Sequence, residues 1–301
     1  MSMNDQKPSL LDAVQGASEA RDQAVGDSTA RGANERSNKE MRRKGGVSVN
    51  WIGLYTMIRR EVERTMRVKV QTLISPVVSA ALYIFIFGKI IGTKIDDIIG
   101  VPYITFVFPG ILMLSVINAA FASSSSSLYF ARFIHSIDEL LVAPFSYLEM
   151  VFGFMFGAVM RGVMVAILII GVGLLFGAVT LTSPFWFLFY IVAVSAIFSL
   201  LGMLVALWAQ GFEQLSSLNT FVITPLTYLG GIFYSVTMLP SFAALLTTFN
   251  PFFYFVDGIR SSMIGVSEAN TAIGLGVILA LLVGLTLLTV HLFKIGWRIR
   301  V

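Results

Sequence analysis

Few charged side chains fall inside the apolar runs of this 301-residue chain, and each invites a chemical reading. Arg161 lies deep in one such run. A charge at the centre of a bilayer costs about 2.5–3.5 kcal/mol, so it has to face protein or water. Two readings of it stay open. Either it lines a pathway or a subunit interface, or the run enters the membrane late and leaves Glu149 to Arg161 near the surface. Asp257 and Arg260 are three residues apart, a spacing that allows a local ion pair on a short helix. That pair is expected to hold its element in place rather than to grip a substrate. Ser123 to Ser127 are five consecutive hydroxyls. A hydrolytic serine needs a paired base or a Gly-x-Ser-x-Gly turn, and the sequence has neither. Small residues letting helices approach closely are the simpler account.

Other chemistries are excluded by composition. There is no cysteine, hence no disulfide, thiol nucleophile or Cys-based metal site. His135 and His291 are the only imidazoles and stand far apart, so a His-rich metal centre is not expected. No Gly-x-x-x-x-Gly-Lys-[Ser/Thr] loop occurs to cradle phosphates. No cofactor is expected, the chain is not expected to be an enzyme, and any ATP energy would have to come from a separate subunit.

The elements that carry these residues are apolar. The chain is 56% hydrophobic and 13% charged, far from soluble averages. Of its 21 Lys and Arg, 13 fall in residues 1–69, against 9 of its 17 Asp and Glu, so the net charge of +4 belongs to that segment. One basic flank of this kind follows the positive-inside bias and does not form a nucleic-acid face. Residues 1–46 are polar and almost free of large apolar side chains, as in a disordered tail, with no apolar core of a cleavable signal. Residues 47–70 read as an amphipathic helix lying in the membrane interface. Its apolar stripe is Trp51, Leu54, Tyr55, Ile58, Val62 and Met66, and Arg59, Arg60, Glu63, Arg64 and Arg67 fill the other face.

Residues 71–301 read as an all-α membrane domain of six spans, at roughly 71–91, 104–127, 147–177, 185–208, 216–236 and 271–293, since a bilayer core takes about 20 apolar residues per helix. Basic residues flank both ends, with Lys294, Arg298 and Arg300 at the last, which places both termini in the cytoplasm. Between the second and third spans, residues 132–146 carry Phe133, Ile137, Leu140 and Leu141 at helical spacing. Arg132, Asp138 and Glu139 lie off that stripe, and Pro144 ends it. A charged amphipathic helix on the wet side of a membrane suits capture by another protein. Leu239 to Ser267 breaks at Asn250-Pro251 into pieces too short to span, expected to dip into the outer leaflet and return. Pro225 and Gly230-Gly231 suggest a kink or unwinding just before it.

The pattern resembles the permease subunit of type-2 ABC transporters, in the bacterial exporter branch. The segment Ile137–Ser146 (IDELLVAPFS) is similar to that family's coupling helix, Pro225–Ser235 (PLTYLGGIFYS) with Met238–Pro240 to its signature in the fifth span, and Asn250–Arg260 (NPFFYFVDGIR) to its re-entrant segment. The match covers about residues 50–300. The resemblance implies a homodimer of permeases with two copies of a separate ABC ATPase in the bacterial inner membrane. It makes Arg132, Ile137, Asp138, Glu139 and Leu140 the ATPase-coupling residues. Asn250, Pro251, Tyr254, Asp257 and Arg260 become re-entrant or gate residues, and Arg161 a pathway or interface candidate. Exported substrates in the family are lipids, drugs or glycans, and lipid is the surrounding solvent. The rival is a self-sufficient channel or secondary transporter, which would need ionisable residues near several span centres.

Overall fold

The computed structural model describes residues 51–67, 70–92, 94–95, 97–138 and 146–299. The expected tail at 1–46, together with Glu139 and Leu140 of the expected coupling helix, lies outside these residues.

Helix α1 (Trp51–Arg67) closes with Arg64 and Arg67 in its last turn, where cations offset the helix dipole. A helical run follows, with α2 (Ser75–Tyr83) between π-helical turns at Val70–Ile74 and Ile84–Ile91. The next three helices are long. They are α3 (Tyr103–Phe133), α4 (Tyr147–Leu175) and α5 (Pro184–Trp208). The expected fifth span is pieced from α6 (Phe212–Leu218), a π-helical stretch at Asn219–Ile223 and α7 (Thr224–Tyr228). Then come α8 (Ser241–Phe249), α9 (Pro251–Ile264) and α10 (Thr271–Ile295). Among the described residues four helices, α3, α4, α5 and α10, are each long and apolar enough to cross a bilayer, and the number rises to as many as six if two bent pairs, α1 with residues 72–88 and α8 with α9, count as spans; the expected fifth span at 216–236 is in neither count.

Helix α3 is the hub. Its most apolar stretch is 89% buried, against 17% for α10, although α10 is the more apolar of the two. Apolar composition therefore does not say which helix is central, because lipid and protein interior are equally acceptable to it. Along α3 pack α5 and α4, with α9 beside its beginning. Aromatic rings fill the space there: Phe198 lies 5.2 Å from Phe252 and 5.8 Å from Phe255, centroid to centroid.

Local signals account for the ends of the elements. Ser146 opens α4 with a capping box. Its backbone N–H donates to the Glu149 carboxylate at 2.8 Å, and its hydroxyl accepts from the Leu148 N–H at 3.3 Å. Helix α9 has Asn250 as its cap, Pro251 in its first turn and left-handed Gly265 just past its end. It meets α8 at an angle of 86°, so the expected break at Asn250-Pro251 is present. The expected unwinding is present too. Helix α7 stops at Tyr228, and Gly231 follows with φ +81°, a conformation that glycine adopts without steric cost.

The apolar stripe of α1, expected to face the membrane, is exposed at Trp51 (74%) and Tyr55 (65%), while Met57, Glu61 and Thr65 are buried. Beside lipid the rule of a soluble helix reverses: apolar side chains tolerate the outside, and polar ones seek partners within the protein. One expectation needs correction: residue 132 does not begin a new helix. Arg132 and Phe133 complete α3, the chain turns at Ile134 and His135 (φ +57°), and 136–138 are helical again. Ile137 packs inward while Phe133 is exposed, so the pair does not share one face.

Candidate functional site

Polar side chains gather at two places on α3. Phe106 and Ser127 are 21 residues apart, hence about 30 Å along the helix.

The first cluster holds the region after α7 to α9 and α10. Asn250 belongs to two elements at once. Its Oδ1 accepts from the Phe252 N–H at 3.1 Å, capping α9, and its Nδ2 donates to the Leu226 carbonyl in α7 at 2.7 Å. Tyr254 sends its hydroxyl back to the Thr248 carbonyl at 3.0 Å. Asp257 is buried and accepts three hydrogen bonds from the loop after α9: Ser267 Oγ at 2.7 Å and the backbone N–H groups of Glu268 at 2.8 Å and Ala269 at 3.1 Å. Three donors on one carboxylate stabilise its charge. The expected Asp257–Arg260 pair is therefore replaced. Arg260, fully buried, has Glu268 at 3.7 Å, donates to the Gly231 carbonyl at 2.6 Å and lies 3.9 Å above the Phe106 ring. Glu268 also accepts from Ser235 Oγ and from the Val236 N–H at 3.2 Å. One guanidinium thus ties the unwound strand at Gly231, the loop before α10 and the hub helix into a single unit.

The second cluster holds α1. Glu61 is buried against Gly157 of α4, where a Cβ would come within 2.7 Å of its side chain. Both its carboxylate oxygens lie 2.8 Å from Ser127 Oγ, and Arg64 pairs with it at 3.1 Å. Arg64 also donates to the Ser123 carbonyl at 3.0 Å. The serine run is therefore more than a smooth packing face, since it receives a charged pair from another helix. Arg161 sits one turn beyond Gly157, near enough to Arg64 for like-charge repulsion, with its Nε buried and lacking a hydrogen-bond partner among the described residues. Sequence reasoning missed Glu61. The available signal was its place four residues from both Met57 and Thr65, a lone acid on a face of otherwise uncharged residues.

The residues expected to couple to a partner divide. Arg132 is buried and donates to the Ala206 carbonyl near the end of α5. Ile137 is buried in an apolar cluster with Met57, Leu128 and Met150. The Asp138 side chain is 47% exposed and stands 3.7 Å from His135. Among the described residues, no group of three or more His, Asp or Glu side chains could hold a metal ion.

Long apolar helices whose few buried charges gather mainly in two clusters define a polytopic membrane protein. A sequence model of the ABC-2 type transporter family matches residues 53–264, and the chain belongs to that family. It is 38% identical over 250 residues to the inner membrane transport permease YadH of Escherichia coli (strain K12), covering 83% of this chain and 98% of that protein. Nodulation protein J of Rhizobium leguminosarum bv. viciae is 25% identical over 240 residues, covering 78% and 89%. Nodulation protein J of Rhizobium meliloti (strain 1021) is 25% identical over 233 residues, covering 75% and 86%.

Proposed function

We propose that this chain is the membrane-spanning permease subunit of an ATP-driven exporter, working as a homodimer with two copies of a separate ABC ATPase. It moves a lipid, drug or glycan-type substrate outward across the bacterial cytoplasmic membrane through six spans, with both termini in the cytoplasm. The family membership and the likeness to an inner membrane transport permease support this reading.

The observation that carries the coupling role is the anchoring of residues 136–138. Ser136 accepts from Arg60 of α1 at 3.1 Å, Ile137 is buried beside Met57 and Leu128, and Arg132 just before them is fastened to α5. Asp138 meanwhile stays half-exposed. A push on this segment reaches α1, α3 and α5 together, which suits rigid-body switching. In this reading Arg132 and Ile137 transmit force from inside, and Asp138 with Glu139 and Leu140 meets the ATPase. Asn250, Pro251, Tyr254, Asp257 and Arg260 hold the re-entrant element as a gate. Arg161 belongs to the contact between α1 and the bundle.

The test is charge reversal at Asp138 and Glu139 together. The expected result is an intact, monodisperse permease with lost co-purification of the ATPase or lost stimulation of its turnover. Full assembly and full stimulation would remove the coupling assignment.

A further inference from the structure

Three helix ends meet beside residues 132–135 and leave a cleft of about 450 Å³ between them. It is lined by Tyr129, Arg132 and His135 from the end of α3, by Trp208 and Gln210 after α5, and by Arg298 after α10. Arg132 donates to the Ala206 carbonyl, and Arg298 donates to the Trp208 carbonyl at 3.1 Å. Both arginines thus serve the C-terminal end of α5, which carries partial negative charge. Backbone carbonyls orient the two guanidinium groups but do not neutralise them. Among the described residues no carboxylate lines the cleft, Asp138 standing beside it at 3.7 Å from His135, and Arg132, nine-tenths buried, keeps an unpartnered Nε. Two cations converging on one partly desolvated space call for an anion.

We propose that this cleft binds a phosphate group, carried by the headgroup of an anionic membrane lipid. Arg132 and Arg298 supply the fork-shaped donors that match phosphate oxygens, with Gln210 as a neutral donor beside them. The surroundings favour a lipid over an acidic protein segment. Phe133 and Trp208 stand exposed at the rim, Phe130 and Phe212 pack nearby at 5.7 Å, and Trp297 lies 5.2 Å from the Arg298 guanidinium. Aromatic rings beside basic residues at the ends of apolar helices mark the headgroup level of a bilayer. Backbone strain points to the same place. Three described non-glycine residues have positive φ, and two of them, His135 at +57° and Arg298 at +51°, line this cleft. Such conformations collect at binding sites.

The test reconstitutes the full-length chain in nanodiscs of phosphatidylglycerol and phosphatidylcholine in equal parts. Lipid that stays bound after transfer to detergent is counted by native mass spectrometry. Arg298 is exposed, and thermal unfolding of Arg298→Gln in the same detergent checks that loss of its hydrogen bond to Trp208 leaves the bundle intact. The expected result is preferential retention of phosphatidylglycerol, about tenfold lower for Arg298→Gln, with partial recovery in Arg298→Lys. Inorganic phosphate separates the sources. Lipid retention unaffected by millimolar phosphate assigns the site to a headgroup. Phosphate that displaces the lipid and itself binds with the same Arg298 dependence assigns it to the free ion, and both outcomes support a phosphate cleft. Equal retention of phosphatidylcholine overturns the proposal, as does unchanged phosphatidylglycerol in Arg298→Gln. No ATPase enters the assay, so its result does not depend on the exporter reading.

Discussion

Arg260 and Glu268 form an ion pair at 3.7 Å with side chains 0% and 4% exposed, although α9 carries one and the loop before α10 the other. Removing one partner of such a pair strands a charge, whereas removing both does not. Arg260→Met or Glu268→Gln alone should lower stability by about 3–5 kcal/mol. The double variant should recover a measurable part. Thermal unfolding of the four proteins in one detergent closes the cycle, and additive losses would show that the two residues act independently.

Asp257 organises a loop through three hydrogen-bond donors. Asp257→Asn keeps the size but replaces one acceptor oxygen with a donor group facing backbone N–H groups. A loss of about 1.5–3 kcal/mol is expected, the range for hydrogen bonds to a charged group. Hydrogen exchange at Glu268 and Ala269 should rise well before exchange within α3 does.

Glu61 fastens α1 to the bundle through Ser127 and Arg64. Ser127→Ala should cost about 1–3 kcal/mol, because it leaves the buried carboxylate short of a donor. Gly157→Leu should release α1 outright, since its side chain would occupy the space of Glu61. Protease cleavage between α1 and α2 reports both. Unchanged cleavage in Gly157→Leu would contradict the docking of α1 at this position.

Asn250 caps α9 and ties it to α7, so Asn250→Ala should lose both contacts, about 1–3 kcal/mol together. Asn250→Asp retains the cap acceptor but not the donor to Leu226. Its stability should fall between the two, as measured by thermal unfolding.

Much of this protein was legible in its order of residues. The all-helical membrane class, the break at Asn250-Pro251 and the unwinding at Gly230-Gly231 all follow from local chemistry: apolar run length, the restraint proline places on its neighbours, and glycine's access to positive φ. The family motifs pointed to the family that residues 53–264 match. What only the tertiary structure decided is which partner each charge takes and which way each apolar face turns. Helical spacing suggested Arg260 for Asp257, but a loop after α9 supplied three donors to the one and a carboxylate to the other. The apolar stripe of α1 was visible, and the burial of Glu61 on the same helix was not. In water an apolar face has one place to go. Beside lipid it has two of nearly equal free energy, so the few polar groups, Glu61 and Arg132 among them, set the orientation by where they find their partners.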